Sequence, residues 1–316
     1  MPEVSVVTST YNRCDMLAAA LRSALAQRDV DFEVVVVDNG STDETAKMLA
    51  GWDDERLRVI RNEESLGSIG GRNSGLRAAR GRWVGILDDD DLWAPGKLRA
   101  QLDAAAATGR HWSYVGCVHI DGDDRILGGR PPPTAEAAMA ALPTHFVLPG
   151  GMSNMIWQRD MLDDDGLLDS RLAWPADWDV SLRLARWGPP AVVARPLVAY
   201  RQHGSNLSRT SGRRRGELKV LEDKRADMAG GRPIDWGLQH RFVGSEELRA
   251  GARWAALCAY ARGVAAGDLG SLLRATGVLL PDGLQRRLRM TVLSDREWVG
   301  EAEAWLKEFR DTVYQA

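Results

Sequence analysis

The chain has 316 residues, of which 44% are hydrophobic and 27% charged, and its formal net charge is −3 at pH 7. This composition is ordinary for a globular protein and excludes general disorder, and the slightly acidic balance gives no overall attraction to nucleic acid. The three cysteines, Cys14, Cys117 and Cys258, form no CxxC pair. Their number and spacing argue against a disulfide framework or a zinc site and favour the cytoplasm.

Neither a signal peptide nor a transmembrane segment is expected. The first residues lead directly into a strand-like run, without the basic segment and apolar stretch of a signal peptide. No run approaches the ~20 apolar residues that a membrane helix needs. Any action at a membrane is therefore expected to take place from the water side.

Strand and helix patterns alternate through the first hundred residues. Runs of apolar and β-branched residues predict strands, and apolar residues at helical spacing predict the helices between them. The expected strands are 4–8, 32–37, 57–61 and 83–87, and the expected helices are 15–27, 42–49, 67–79 and 97–107. This alternation is typical of a doubly wound α/β sheet, which binds ligands at the carboxyl ends of its strands.

Polar clusters follow three of these strands, at residues 9–13, 38–43 and 88–91. We expect all three clusters to meet at one edge of the sheet. Within 38–43, Ser41 or Thr42 is expected to cap the next helix, which leaves Asp38 at the strand tip free to accept from a base N–H. Arg72 stands in a glycine-rich helix entry, where either a plain helix start or a phosphate site fits.

Four consecutive aspartates, Asp88 to Asp91, follow the fourth strand. Mg²⁺ or Mn²⁺ would remove the repulsion between such carboxylates, since both ions prefer oxygen ligands. In an extended segment, Asp88 and Asp90 would lie on one side and the other two on the opposite side. The alternative is a solvated acidic turn that caps a helix, and the two neighbouring polar strand ends favour the metal site.

The second half of the chain is mixed and then helical. Strands are expected at 112–120, 152–158 and 191–200, a hairpin turn at 121–123, a Gly/Pro-rich mobile loop at 128–135 and a helix at 177–187. Helical segments are expected near 216–229, 245–266, 268–280 and 294–313. The predicted organisation is a domain at 1–207, divided into a nucleotide-sugar half (1–107) and an acceptor half (108–207), followed by a helical region at 208–316.

Five motifs in order resemble the inverting glycosyltransferase family 2, whose fold is GT-A. They are VSVVTSTYNR, VVVVDNGSTDET, GRNSGLRAARGRWVGILDDDDLWAPGKL, PADWDVSLRLARWG and LVAYRQHGSNLS. The resemblance covers roughly residues 3–205. It implies a Rossmann-like mixed sheet with helices on both faces, to which a C-terminal helical appendage is added.

For the donor, the resemblance implies roles for seven residues. Asp38 would accept from the base, Asp89 would contact the ribose, and Arg72 would approach the base or the diphosphate. The remaining four belong to the nucleotide loop: Ser9, Thr10, Tyr11 and Arg13.

For the chemistry, the resemblance implies metal ligands and a base. Asp88, Asp90 and His203 are the candidate ligands of Mn²⁺ or Mg²⁺, and Asp177 matches the catalytic base. Ala176 precedes Asp177 where the family commonly has Glu, so that Asp179 is a rival for the same role. A helix start, where acidic residues complement the dipole, explains Asp177 and Asp179 without any catalysis.

The sequence therefore predicts a metal-dependent inverting glycosyltransferase. Its donor would be a UDP-sugar, or a dTDP- or GDP-sugar, and its acceptor an unidentified natural-product scaffold, cell-surface glycan or peptide. The alternative is a catalytically impaired nucleotide-sugar-binding module on the same fold. A nucleotidyltransferase is disfavoured because VVTSTYNR lacks a Gly-rich triphosphate loop. A homodimer through the C-terminal helices is a further expectation, and nucleic acid is not an expected partner.

Overall fold

The computed structural model describes residues 1–162, 167–203, 214–249, 251–280 and 296–313. Nine strands form one mixed sheet. The strands are β1 (Val4–Thr10), β2 (Phe32–Asn39), β3 (Leu57–Asn62), β4 (Trp83–Ile86), β5 (Leu92–Trp93), β6 (Trp112–Ile120), β7 (Ile126–Arg130), β8 (Met155–Gln158) and β9 (Ala191–Arg201).

Helices alternate with these strands and then continue alone towards the C-terminus. The helices are α1 (Cys14–Leu25), α2 (Thr45–Ala50), α3 (Gly67–Ala78), α4 (Lys97–Thr108), α5 (Ala135–Ala141), α6 (Ala176–Ala185), α7 (Arg214–Lys224), α8 (Ala226–Ala229), α9 (Trp236–Arg249), α10 (Arg253–Ala265), α11 (Leu269–Val278) and α12 (Arg296–Val313). Among the residues described, none of these helices combines the length and hydropathy that a membrane-spanning segment requires.

The strand order is β3-β2-β1-β4-β8-β6-β9-β5, with β7 paired to β6. Strands β1 to β4 pair in parallel, whereas β8 runs antiparallel to both β4 and β6. The parallel strands β1 and β2 are buried on both faces, as expected for strands that helices cover on both sides. The expected α/β sheet with helices on both faces is confirmed, and its parallel part carries the predicted donor residues.

The last helix packs against the sheet. Ala302, Trp305 and Leu306 of α12 are buried in the same apolar cluster as β1, β2 and β9. The indole N–H groups of Trp298 and Trp305 donate to the carbonyls of Ala194 and Pro196, at 2.7 Å and 2.8 Å. Helix α12, which follows all nine strands in the sequence, therefore covers part of the sheet. The boundary predicted at 207/208 lies outside the described residues.

Three local predictions are wrong. The helix expected at 245–266 is divided into α9 and α10, because Gly251 adopts a left-handed conformation with φ 78°. The loop expected from residue 128 begins later, because β7 extends to Arg130 and pairs with β6. Neither Ser41 nor Thr42 caps α2, because that helix begins at Thr45 after Glu44.

Candidate functional site

The three polar clusters meet at the carboxyl edge of the parallel strands. Thr10 at the end of β1 lies in register with Asp38 at the end of β2. The Thr10 hydroxyl donates to the Asp89 carboxylate at 2.7 Å, and the Asn12 backbone N–H donates to Ser41 Oγ at 3.0 Å. Side-chain hydrogen bonds therefore connect the segments after β1, β2 and β4, as the sequence predicts.

Residues Asp88 to Asp91 form a turn and not an extended segment. The Asp91 backbone N–H donates to the Asp88 carbonyl at 3.1 Å. This turn brings Asp91 to the side of Asp88 and Asp90, so that one carboxylate oxygen of each lies within 4.8 Å of the others. The predicted alternation is therefore wrong, since Asp91 joins Asp88 and Asp90, while Asp89 accepts from Thr10 and Arg13.

The turn fits a divalent cation. Asp91 is fully buried, and among the described residues its Oδ2 has no hydrogen bond of good geometry, although the Ser153 hydroxyl lies near the carboxylate. Burial and the neighbouring Asp90 raise the pKa of Asp91 well above its usual value. An orphaned buried carboxylate oxygen beside two other carboxylates is unfavourable without a counter-charge. Mg²⁺ or Mn²⁺ would supply that charge, since both ions prefer such oxygen ligands.

Two basic side chains, Arg13 and His203, contact Asp89 and Asp90. Arg13 donates to Asp89 at 2.8 Å and to Asp90 at 2.9 Å. His203 Nε2 lies 2.8 Å from Asp90 Oδ2. Burial opposes ionisation of Asp90, but His203 and Arg13 hold its pKa below the usual value. Burial and the charge of Asp90 raise the pKa of Asp89 to about 6.

Arg72 lies between the aspartate turn and α6. Its guanidinium donates to Asp88 at 2.5 Å. Although burial opposes the shift, the charges of Asp88 and Asp177 raise the pKa of Arg72. A permanently charged, nearly buried guanidinium at this position can bind the oxygens of a diphosphate. The structure thus brings Arg72 together with the predicted metal ligands and the predicted base.

Asp177 lies in the first turn of α6, and its carboxyl group is not engaged in any salt bridge of the described chain. Burial raises its pKa to about 7, because the charge of Arg72 only partly compensates and Asp88 adds repulsion. Asp179 differs, since its carboxylate pairs with Lys224 at 2.7 Å. Ala176, the first residue of α6, is buried in the apolar core. Asp177 is therefore available for proton transfer near neutral pH, while Asp179 is occupied.

Gly151, which was not predicted from the sequence, shapes the surroundings of Asp177, and Gly150 precedes it. Gly150 and Gly151 both have positive φ, at 71° and 57°. A Cβ on Gly151 would lie 2.6 Å from Asp177 Oδ2. The chain can pass this close to the carboxylate only where no side chain intervenes. The sequence signal was the Gly-Gly pair itself, just before the strand expected at 152–158.

Gly151→Ala is expected to lower the free energy of unfolding by about 1–2 kcal/mol, since it adds a side chain in the left-handed region. It should also lower turnover, because the new methyl group displaces the Asp177 carboxylate. Urea unfolding and steady-state kinetics measure the two effects. Gly109→Ala is the matched control, because Gly109 has a similar φ of 64° and a Cβ there meets no atom within 4 Å. Equal behaviour of the two variants would contradict the close approach.

The predicted nucleoside residues line the same edge. Tyr11 is exposed, with 49% of its surface accessible. Asp38 is buried, where its carboxylate accepts from the Ser41 backbone N–H and from Arg61, both at 2.9 Å. A Cβ on Gly71 would clash with Ser9 Oγ, so that helix α3 packs close to the end of β1. Asp38 therefore stabilises its own loop and retains lone pairs for one further donor.

Arg201, at the end of β9, was also missed by the sequence analysis. Its Nε donates to the Asp90 carbonyl at 2.9 Å, and its backbone N–H donates to Asp91 Oδ1 at 3.0 Å. It also forms an ion pair with Asp124 at 2.6 Å. Arg201 thus fixes the aspartate turn from the side of β9. The available signal was its place in the YRQH segment, two residues before His203.

A family model and several known proteins are similar to parts of this chain. The family model described as "Glycosyl transferase family 2" matches residues 5–155, which include the aspartate turn and end before Asp177. The succinoglycan biosynthesis protein ExoO of Rhizobium meliloti is 38% identical over 161 residues, 51% of this chain and 45% of that protein. The putative teichuronic acid biosynthesis glycosyltransferase TuaG of Bacillus subtilis is 38% identical over 117 residues, 36% of this chain and 46% of that protein.

A third relative has a more specific name. The UDP-Glc:alpha-D-GlcNAc-diphosphoundecaprenol beta-1,3-glucosyltransferase WfgD of Escherichia coli is 31% identical over 125 residues, 40% of this chain and 49% of that protein. The chain thus matches less than half the length of each of these relatives. Among solved structures, S. aureus TarS 1–349 in complex with UDP-GlcNAc has a TM-score of 0.55 at 16% identity, and the match covers 98% of this chain and 82% of TarS 1–349. This likeness concerns the fold, and it agrees with the GT-A architecture.

Proposed function

We propose that this protein, whose residues 5–155 match the model of glycosyl transferase family 2, is an enzyme that transfers a sugar from a UDP-sugar to a saccharide acceptor with inversion at the anomeric carbon. The observation that carries the proposal is the aspartate turn, where an orphaned oxygen of Asp91 lies beside Asp88 and Asp90. A divalent cation neutralises such a group of carboxylates and can at the same time bind the diphosphate of a nucleotide-sugar, whereas an ordinary surface turn would leave the carboxylates in water.

The donor would bind along the edge formed by β1, β2 and β4. In this proposal, Ser9, Thr10 and Tyr11 line the nucleoside, and Asp38 accepts from the base. Asp89 and Arg13, which form a hydrogen bond with each other at 2.8 Å, would lie below the ribose. UDP is the proposed nucleotide because WfgD is named for UDP-Glc and TarS was solved with UDP-GlcNAc. dTDP- and GDP-sugars remain alternatives for the screen below.

Asp88, Asp90 and Asp91 would hold Mn²⁺ or Mg²⁺, with His203 contacting Asp90 as a further candidate ligand. When bound, the cation neutralises charge on the leaving diphosphate. Arg72 contributes a second positive charge on the same side of the site. Arg201 keeps the turn in place through the Asp90 carbonyl and the Asp91 carboxylate.

Asp177 would act as the general base. An acceptor hydroxyl attacks the anomeric carbon, the bond from that carbon to the diphosphate oxygen breaks, and the hydroxyl proton passes to Asp177. A carboxylate with a pKa of about 7 is well suited to this step, because it is a stronger base than an ordinary aspartate and is still ionised above neutral pH. Asp179 is not proposed for this role, since it pairs with Lys224.

The acceptor is proposed to be a growing cell-surface saccharide. The names of ExoO, TuaG and WfgD refer to succinoglycan, teichuronic acid and a lipid-linked amino sugar. A cytoplasmic location is part of the proposal and fits the three free thiols. The homodimer expected from the sequence stays a prediction.

The test is release of UDP from UDP-glucose and UDP-N-acetylglucosamine, compared in the presence of Mn²⁺ and of EDTA. We expect metal-dependent release together with a rise in melting temperature that requires both metal and nucleotide. dTDP- and GDP-sugars are screened in parallel. Thermal stabilisation by a nucleotide without any release, with every donor tested, would identify a binding module in place of an enzyme.

A further inference from the structure

Helix α11 presents an exposed apolar face. Its inner side, with Ser271 and Val278, is buried against α9 and α10. Its outer side carries leucines whose exposed fractions lie between 52% and 77%: Leu269, Leu272 and Leu273, with Leu279 just beyond the helix end. These positions follow the helical repeat, so the leucines form one continuous stripe. We call this stripe, together with Trp254, the apolar face.

Trp254 extends the stripe onto the neighbouring helix. It lies in the first turn of α10 and is 78% exposed. Arg253, beside it, donates to the Leu280 carbonyl at 2.8 Å, which joins the start of α10 to the end of α11. Five large apolar side chains are thus presented to solvent on two adjoining helices. Contiguous exposure of this kind marks an interaction surface.

The charge around the apolar face is positive although the whole chain is acidic. The described residues 251–280 contain three arginines, Arg253, Arg262 and Arg274, and one aspartate, and no lysine or glutamate. That aspartate, Asp268, is already engaged, because it pairs with Arg241 at 3.2 Å and accepts from Gly270 at the start of α11. Arg262 and Arg274 are exposed and form no ion pair within the described parts of the chain. The partner that complements this surface is apolar and negatively charged.

We propose that the apolar face binds the surface of an anionic lipid bilayer. Leucine and tryptophan side chains would enter the boundary between headgroups and acyl chains, while the arginines remain among the anionic headgroups. A second copy of the chain complements the surface less well, because a two-fold contact places the same arginine-rich patch on both sides. The proposal goes beyond the sugar transfer and does not depend on it.

The apolar face is connected to the acceptor side of the site through α9. Gly244 of α9 packs against the ring of Tyr260 in α10. On the same helix, the ring of Phe242 lies 6.1 Å from that of Trp174, which comes three residues before Asp177. Helix α9 thus contacts both α10, which carries Trp254, and the aromatic side chain of Trp174 just before α6.

Co-sedimentation with vesicles tests the proposal on the full chain. We expect binding to vesicles that contain phosphatidylglycerol, weaker binding to pure phosphatidylcholine vesicles, and a loss of binding at high salt. The variant Trp254→Glu/Leu273→Glu should partition at least about tenfold more weakly, since it places two carboxylates in the apolar face. Trp187→Glu is the matched control, because Trp187 is 59% exposed and lies outside this face.

Three outcomes would overturn the proposal. The first is no binding of the wild type to either vesicle. The second is equal binding by the double variant and the wild type, while both retain the same circular dichroism and melting temperature. The third is a concentration-dependent dimer in light scattering that the double variant abolishes, without vesicle binding, which would assign the apolar face to a second copy of the chain. Vesicle binding is measured without a sugar donor, so its failure is distinguishable from failure of the transfer assay.

Discussion

Asp177→Asn lowers turnover by about 10²–10⁴-fold, the range expected when a positioned general base is removed. The amide retains the shape of the side chain but cannot take the acceptor proton. Donor affinity should change little, since Asp177 is not among the predicted nucleotide or metal residues. Steady-state kinetics with a competent acceptor, together with UDP titration in the presence of Mn²⁺, separate the two quantities. An unchanged kcat would remove Asp177 from the mechanism.

The same substitution is expected to stabilise the protein at high pH. Burial raises the pKa of Asp177 to about 7, whereas a carboxyl group in the unfolded chain titrates near ~4. The ionised carboxylate therefore lowers stability as the pH rises through this window, and Asn removes that loss. We expect a gain of roughly 1–2 kcal/mol at pH 8, because partial access of water screens the charge, and no gain below pH ~4.

Asp179→Asn is the matched comparison for both measurements. It should keep its turnover and lose about 1–3 kcal/mol of stability, since Lys224 loses its partner at 2.7 Å. The kcat/KM of the wild type should rise with pH as Asp177 ionises near pH 7, and Asp179→Asn should retain this rise. Opposite behaviour of the two variants would instead support Asp179 as the base.

Asp90→Asn is expected to lower metal-dependent turnover by about 100-fold or more, because one charged ligand is lost from the aspartate turn. Arg13 and His203 also lose the carboxylate that both contact. The measurements are kcat/KM against Mn²⁺ concentration and the melting-temperature shift with UDP and Mn²⁺. Asp123→Asn, in the exposed β6–β7 turn, controls for loss of a negative charge. The same half-saturating Mn²⁺ concentration in the Asp90 variant and the wild type would contradict the proposed site.

The sequence was informative about the donor side because its signals are local. Each polar cluster follows a buried strand directly, and parallel strands necessarily bring such ends together. The details that failed depend on partners distant in sequence. Ser41 does not cap α2 because its hydroxyl accepts from Asn12, 29 residues away. Asp91 joins Asp88 and Asp90 because a turn, held from β9 by Arg201, replaces the expected extended segment.

The packing of the C-terminal helices could not be predicted from the sequence for a related reason. The apolar stripe of α12 indicates that the helix is packed against something, but an amphipathic pattern does not name its partner. The structure places Trp298 over Gly116 and Gly129, where only glycines leave room for an indole ring. Helix α11 has a similar stripe, yet its leucines face solvent. Identical local patterns thus lead to a covered sheet in one case and an open surface in the other.

The packing of α12 on the sheet also limits how early the protein can complete its folding during translation. Arg28 pairs with Glu308, 280 residues later. At about 5–20 residues per second, translation separates their synthesis by roughly 15–60 seconds. Until α12 is made, the part of the sheet that Trp298 and Trp305 cover lacks that helix, although α4 packs against β9. The newly made chain therefore exposes this apolar part of the sheet until α12 emerges.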